Sequence, residues 1–340
     1  MDWSKFVVVG ENLHCTRIVK RGGIKTTELP GGGEGVAFQR DGESRALPVP
    51  ANWEEVSPAF GDGKIKHIAL ALYQSLHGAP DEQAAGADYL CYLAERQIDN
   101  GATFLDVNVD EYSTESSVQG EMMGYMVGFL SERYDTPLSI DSSKPETLEI
   151  GLAACRTDIA SPMINSISLE RPDVIDLAKQ YNADAIVNAA GREGMPADAD
   201  ERTANFRELI AAIDATGMAR DKLHLDPLVL PISTDPMNGM HFLNATSQAR
   251  SEFEGVHLNG GLSNVSFGMP SRKLLNVTFA YLCVEAGTDG GIIDPAVMPA
   301  TAIASLDTDS EPFRLAKAVL VGEDMFGMEY ITAFRDGKLS

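Results

Sequence analysis

The chain has little positive charge, few cysteines and no long apolar run. Its 340 residues carry 27 Lys and Arg against 50 Asp and Glu, a formal net charge of −23 at pH 7. A surface of that sign repels phosphate backbones and anionic lipid headgroups, which excludes nucleic acid and membrane as expected partners. Cys15, Cys91, Cys155 and Cys283 lie far apart, with no CxxC pair and no compact Cys/His cluster. That scatter argues for reduced packing thiols rather than a disulfide framework or structural zinc, and no metal is expected to be bound by this chain. No stretch approaches a membrane span, and MDWSKFVVVGENLH at the start lacks the basic segment, apolar stretch and cleavage site of a secretory signal, so the expected location is the cytoplasm. GGGEG at 31–35 lacks the Gly-Lys-Ser/Thr that opens a phosphate-binding helix and reads as a flexible turn.

What is present is alternation. An apolar content of 44% is ample for a buried core. Short apolar runs predict strands at 6–9, 104–107, 138–140, 163–164, 185–187, 223–225, within 256–263, and at 291–293. Amphipathic segments predict helices at 82–99, 114–134, 145–154, 171–181, 202–216, 240–252, 272–286 and 312–321. Pro145 after Ser142 and Ser143 marks a helix start, and Gly217 marks a helix end. Eight strands with intervening helices fit a (β/α)8 TIM barrel, with an open doubly wound sheet as the alternative. The reading is one domain over 1–340 with 15–64 as an inserted loop or hairpin near the barrel mouth; Asp41-Gly42 between short apolar runs is its hairpin signal.

Five of the apolar runs stop on Asp or Asn: FLDVNVD at 104–110, LSIDSS at 138–143, MINS at 163–166, LHLDP at 223–227 and GLSNVS at 261–266. Singly, each such residue is a common cap or turn former. Together at strand ends they predict a ring of polar groups around one ligand. A fused pyrimidine with a 2-amino group, a ring N–H and a 4-oxo group presents two parallel donors beside an acceptor. A carboxylate such as Asp141 or Asp226 takes both donors, and the amides of Asn108, Asn165 and Asn264 serve the mixed edge.

GEN at 10–12, GATFLDVNV at 101–109, PLSIDSS at 137–143, MINS, LDPLVLP at 225–231 and GLSNVS, followed by Arg272, Asn276, Thr278 and Phe279, resemble the pterin-binding barrel family. Within it, the likeness is to the methyltetrahydrofolate:corrinoid protein methyltransferases and to the folate module of cobalamin-dependent methionine synthase. The resemblance implies a barrel of the dihydropteroate synthase-like type that transfers a methyl group between N5 of tetrahydrofolate and the cobalt of cobalamin carried by a separate corrinoid protein, in a chain that forms a homodimer. It implies that Asp141, Asn165 and Asp226 hold the pterin edge and that Asn264 is the catalytic residue at N5. Glu11, Asp106 and Asn108 line the floor, Ser266 joins the folate-binding set, and Arg272 shapes the rim or meets the folate tail. Alternatives are a dihydropteroate synthase and a folate-binding protein without turnover. The chain departs from the family pattern at Phe267, where Gln is common, at 187–196, which lacks a common Lys, and at Asn12-Leu13-His14, which replaces Arg-Ile-Asn. His14, His67, His77, His224, His241 and His257 are expected in packing, capping or surface roles.

Overall fold

The computed structural model describes residues 5–339; the outermost residues of the expected 1–340 domain, 1–4 and 340, lie outside them. Each predicted apolar run forms a strand: β1 Val7–His14, β2 Phe104–Asn108, β3 Leu138–Asp141, β4 Met163–Ile167, β5 Asp184–Asn188, β6 Leu223–Asp226, β7 His257–Leu258 and β8 Gly290–Ile293. They make one eight-stranded sheet in the order β7-β6-β5-β4-β3-β2-β1-β8. The ladders of β1 with β8, β2 with β3, β4 with β5, β5 with β6 and β6 with β7 are parallel. The outer strands of that order also meet, because Asp289 N–H donates to Leu258 O at 3.1 Å and Ile292 N–H to Gly260 O at 2.9 Å. This closes the (β/α)8 barrel and removes the open-sheet alternative.

The helices follow local rules. Asp198 accepts from Glu201 N–H at 2.9 Å to cap Ala199–Thr216, and Gly217 ends that helix at φ 76°, where a side chain would be strained. Pro145 occupies the first turn of Pro145–Ala154, where its missing N–H is no loss.

Two strands differ from expectation. β1 runs on to His14, carrying Glu11 and His14 in extended backbone. The seventh run is a strand only at His257–Leu258, and the GLSNVS motif forms a 3-10 turn, Leu262–Ser266. Gly260 and Gly261 allow the departure: a Cβ at Gly260 would lie 2.8 Å from the Phe242 ring.

Cα packing divides the chain into two units. One comprises residues up to Gly10, Asn100–Phe104 and Ser161 onward; the other comprises Glu11–Asp99 and Leu105–Ala160. In the first, Val9, Phe104, Met163 and Ile186 pack together, and a larger core gathers Leu262, Val265, Phe242, Phe279, Leu320 and Tyr330. In the second, the expected insertion is folded. Ile18–Lys20 pairs with Lys64–Lys66, and Thr26–Glu28, Glu34–Arg40 and Glu43–Pro48 form an antiparallel sheet. Asp41 (φ 55°) and Gly42 (φ 76°) give the tight turn that the dipeptide predicts. Arg40 grips both Glu95 carboxylate oxygens, at 2.6 and 2.8 Å, and also meets Asp88, while Phe38 packs edge-on to Tyr89 at 5.0 Å. These contacts fasten the insertion to the helix Pro80–Ile98.

That helix crosses His67–His77 at Gly86, where a Cβ would stand 2.5 Å from Ala71 O and 2.8 Å from Ser75 N. Replacing a helical glycine by alanine ordinarily stabilises by about 1 kcal/mol. Here Gly86→Ala is expected to destabilise by about 1–3 kcal/mol, because backbone must move apart, as a lowered urea midpoint will show.

Candidate functional site

In the second unit, β1, β2 and β3 deliver one cluster. The two-residue period of β2 puts Asp106 and Asn108 on the same face, and the register sets Asn108 opposite Asp141. Asn108 Nδ2 donates to Asp141 Oδ2 at 2.9 Å, and its Oδ1 accepts from Asp110 N–H at 3.0 Å, so the amide is oriented from both ends. Asp106 is fully buried, and His14 Nε2 lies 2.7 Å from its Oδ2. Glu11 is paired with Arg17 at 3.0 Å. Asp110 ties the strand ends together by accepting from Ser142 Oγ at 2.6 Å and Ser143 N–H at 2.8 Å.

The electrostatics are those of crowded carboxylates. Burial raises the Asp141 pKa well above the usual carboxylate range and the charge of Asp106 adds to the rise, while His14 and the Asn108 hydrogen bond oppose it. For His14, burial alone would lower the pKa, but the bond to Asp106 and the charges of Asp106, Asp141 and Glu11 outweigh it and the net direction is upward. The cluster is therefore an acceptor site with the His14 imidazole hydrogen-bonded inside it. The ligand atoms of His14, Asp106 and Asp141 lie within 4.8 Å of one another, close enough to converge on one cation, although His14 and Asp106 already satisfy each other.

In the first unit, strand ends of β4, β5 and β6 carry the next set. Asn165 sits in β4 where the pairing with β5 slips: Ile186 faces Asn165 and Val187 faces Ile167, so Ser166 is passed over. Such a bulge re-aims the side chains beside it. Ser166 Oγ accepts from Asn188 Nδ2 at 2.6 Å and from Arg171 Nη2 at 3.2 Å. Asp226 ends β6 nearly buried, and its Oδ1 accepts from Leu228 N–H at 2.8 Å. Leu228 holds a left-handed φ of 68°, and the fully buried Arg202 donates to Pro227 O at 2.7 Å and Asp198 O at 2.8 Å. Burial pushes the Asp226 carboxyl up to about 6, with the Leu228 N–H and the Arg202 charge restraining the rise.

Asn264 lies half-buried on the turn Leu262–Ser266, and its amide is folded against Gly261: a Cβ there would stand 2.8 Å from Nδ2. Ser266 is fully buried; its hydroxyl donates to Asn276 Oδ1 at 2.6 Å and accepts from Arg272 Nε at 3.0 Å. Arg272 Nη2 also donates to Ser263 O at 3.1 Å.

The structure thus brings Glu11, Asp106, Asn108 and Asp141 together in one unit, and in the other holds Asn165 and Asp226 on strands, Asn264 and Ser266 on the turn Leu262–Ser266, and Arg272 at the start of the helix Arg272–Ala286. Three residues escaped sequence reasoning. Asn188 and Asp294 end or directly follow β5 and β8, as VN and IID at 187–188 and 292–294, the same signal as the five runs that were read. His14, expected in a packing, capping or surface role, is instead the partner of Asp106. His224 does have the expected packing role, stacked on His257 with ring centroids 4.8 Å apart.

Residues 82–294, more than half of the chain, match the family described as pterin binding enzyme. The chain belongs to that family. Among its relatives, a methylcorrinoid:tetrahydrofolate methyltransferase of Eubacterium limosum is 28% identical over 249 residues, spanning 72% of this chain and 86% of the relative. Solved pterin binding enzymes share the barrel. The dihydropteroate synthase of Stenotrophomonas maltophilia matches with a TM-score of 0.53 and 21% identity over 66% of this chain and 87% of that one. That of Vibrio fischeri matches with 0.52 and 18% over 70% and 86%. At these identities the structures establish the fold alone. No helix among the described residues is long and apolar enough to cross a membrane.

The raised Asp226 pKa has a definite sign for stability. Its ordinary value is 3.8 and its folded value about 6, so above pH 6 the fold must hold a charge that burial disfavours, and the penalty fades as pH falls through 6 towards 4. Asp226→Asn keeps an oxygen for Leu228 N–H and is expected to stabilise the protein by up to about 3 kcal/mol at pH 8, with little effect at pH 4. Urea unfolding at the two pH values measures the difference.

Proposed function

We propose that this pterin binding enzyme is a cytoplasmic methyltransferase acting between N5 of tetrahydrofolate and the cobalt of a corrinoid carried by a second protein, with 15–64 as an insertion in one pterin-binding domain. One observation carries the reading: Asn264, a neutral amide donor, is packed over a glycine on a turn that leads to the exposed Phe267 and Gly268. That placement suits a donor serving a reacting atom open to a second protein. The relative from Eubacterium limosum, named for the same pair of substrates, supports it.

The roles follow from the chemistry of each group. Asp141 and Asp226 accept the paired donors of the pterin, and Asn165 serves its mixed edge. Asn108 aligns Asp141, while Glu11, paired with Arg17, and Asp106, hydrogen-bonded to His14, form the floor. Ser266 acts through the turn it holds, and Arg272 forms the rim. The corrinoid supplies a nucleophilic cobalt when its protein docks. As the N5–methyl bond breaks, its electron pair returns to N5, which becomes strongly basic. The Asn264 amide donates to that developing charge, and water delivers the proton. In the reverse direction N5 loses the proton and attacks the methyl group, using the same contacts.

A second reading, dihydropteroate synthase, has the shared fold in its favour; formation of dihydropteroate from the pterin pyrophosphate and p-aminobenzoate would displace the first.

With methyltetrahydrofolate and Co(I) cobalamin, or with the native corrinoid protein, the absorption spectrum is expected to convert to that of the methylated product. Absence of that change with both acceptors would sink the proposal. Asn264→Ala should lower kcat on the order of 100-fold with KM little altered, since its contact strengthens in the transition state. Asp141→Ala should chiefly raise KM, by about 10- to 100-fold, the range for losing a charged hydrogen bond.

A further inference from the structure

We infer that Phe267, held beneath the Arg272 guanidinium, is a specificity residue that recognises the p-aminobenzoyl-glutamate tail of the folate. The inference rests on the folate reading above and deepens it. In folates the tail leaves the pterin from C6, the atom bonded to N5. A residue that reaches N5 therefore has the tail as its immediate neighbour, and Phe267 is three positions beyond Asn264 on the same turn.

The Phe267 backbone is tied to that turn. Phe267 N–H donates to Asn264 O at 3.2 Å, and Phe267 O accepts from Ser233 Oγ at 2.6 Å. Its side chain is nonetheless 46% exposed. Arg272 Cζ lies 4.3 Å from the ring centroid, and the guanidinium is anchored by its bonds to Ser266 Oγ and Ser263 O. An exposed ring with an anchored cation over one face offers two things. One is an aromatic surface for an aryl amine; the other is positive charge for a carboxylate. The tail carries both groups in that order. In a chain of net charge −23, an anionic substrate needs such a local cation, and the exposed Lys273 beside Arg272 adds a second. The aromatic ring at this position, one of the departures from the family pattern, thereby gains a use.

Steady-state transfer is to be measured with methyltetrahydrofolate and with 5,6-dimethyltetrahydropterin, which keeps the ring and the N5 methyl but has no aryl tail. For wild type, KM should be lower for the folate. Phe267→Ala should raise KM for the folate on the order of 10-fold and leave the tail-less pterin within about twofold of wild type, and Phe267→Tyr should restore the preference. Thermal melting of each variant verifies folding; the side chain is exposed, so little change is expected. Equal effects on both substrates, or none on the folate, would overturn the assignment. Failure of wild type to use either substrate would instead overturn the methyltransferase reading on which the assignment rests.

Discussion

A carboxylate taken out of water costs several kcal/mol unless it is paired and hydrogen-bonded, and that constraint organises this protein. Asp106 is wholly buried in a barrel strand, where an unpaired charge would be hard to sustain. His14, at 2.7 Å, supplies the hydrogen bond, and the same contact shifts the imidazole pKa upward. That imidazole lies on the part of β1 that continues past the barrel ladder, whose pairing with β8 ends at Gly10 and Ile293. The extension in turn carries Glu11 into the same neighbourhood. One buried carboxylate is thus met by a residue that the extension of β1 carries to it, with Glu11 acting on the same imidazole.

Asp226 meets the same constraint differently. No imidazole faces it among its determinants; a backbone N–H from Leu228 and the charge of Arg202 restrain it, and burial still wins. The local chain is shaped for the purpose. Leu228 adopts a left-handed backbone so that its N–H can return to Asp226, and Arg202 holds the intervening Pro227 carbonyl. A buried carboxylate held in this way costs stability, and in the proposed role that cost would accompany a poised acceptor.

The fold was legible because a barrel repeats a local rule. Short apolar runs, amphipathic helices, Pro145 at a helix start and Gly217 at a helix end are written within a few residues, and the eight strands lie where those signals place them. The acidic and amide strand ends were legible for the same reason, and Asn188 and Asp294 could have been found by applying that rule to all eight strands. His14 could not. Its partner is 92 residues away, and nothing local to Asn12-Leu13-His14 records that β2 will bring a buried carboxylate beside it. Asn264 was picked from its motif, but its setting was misread as a strand end. Two consecutive glycines take the chain out of the sheet there, and an apolar run interrupted by glycines does not tell a strand from a turn by periodicity.

The contrast between the acidic groups and Asn264 explains why the chemistry would be assigned to an amide. A carboxylate or imidazole donor at N5 must carry a proton to act, so its contribution would rise and fall with its own titration, and in this protein burial together with neighbouring charges displaces such titrations. An amide donates its N–H at every physiological pH and remains neutral after doing so. In the proposed role it would stabilise the basic nitrogen left by the methyl group without leaving a conjugate base to be reprotonated. Because its state is the same before and after, it serves transfer in either direction. In the proposed scheme Asp141 and Asp226 would carry the pH dependence of binding, and the proton that water delivers to N5 would carry that of transfer, while the amide itself does not titrate.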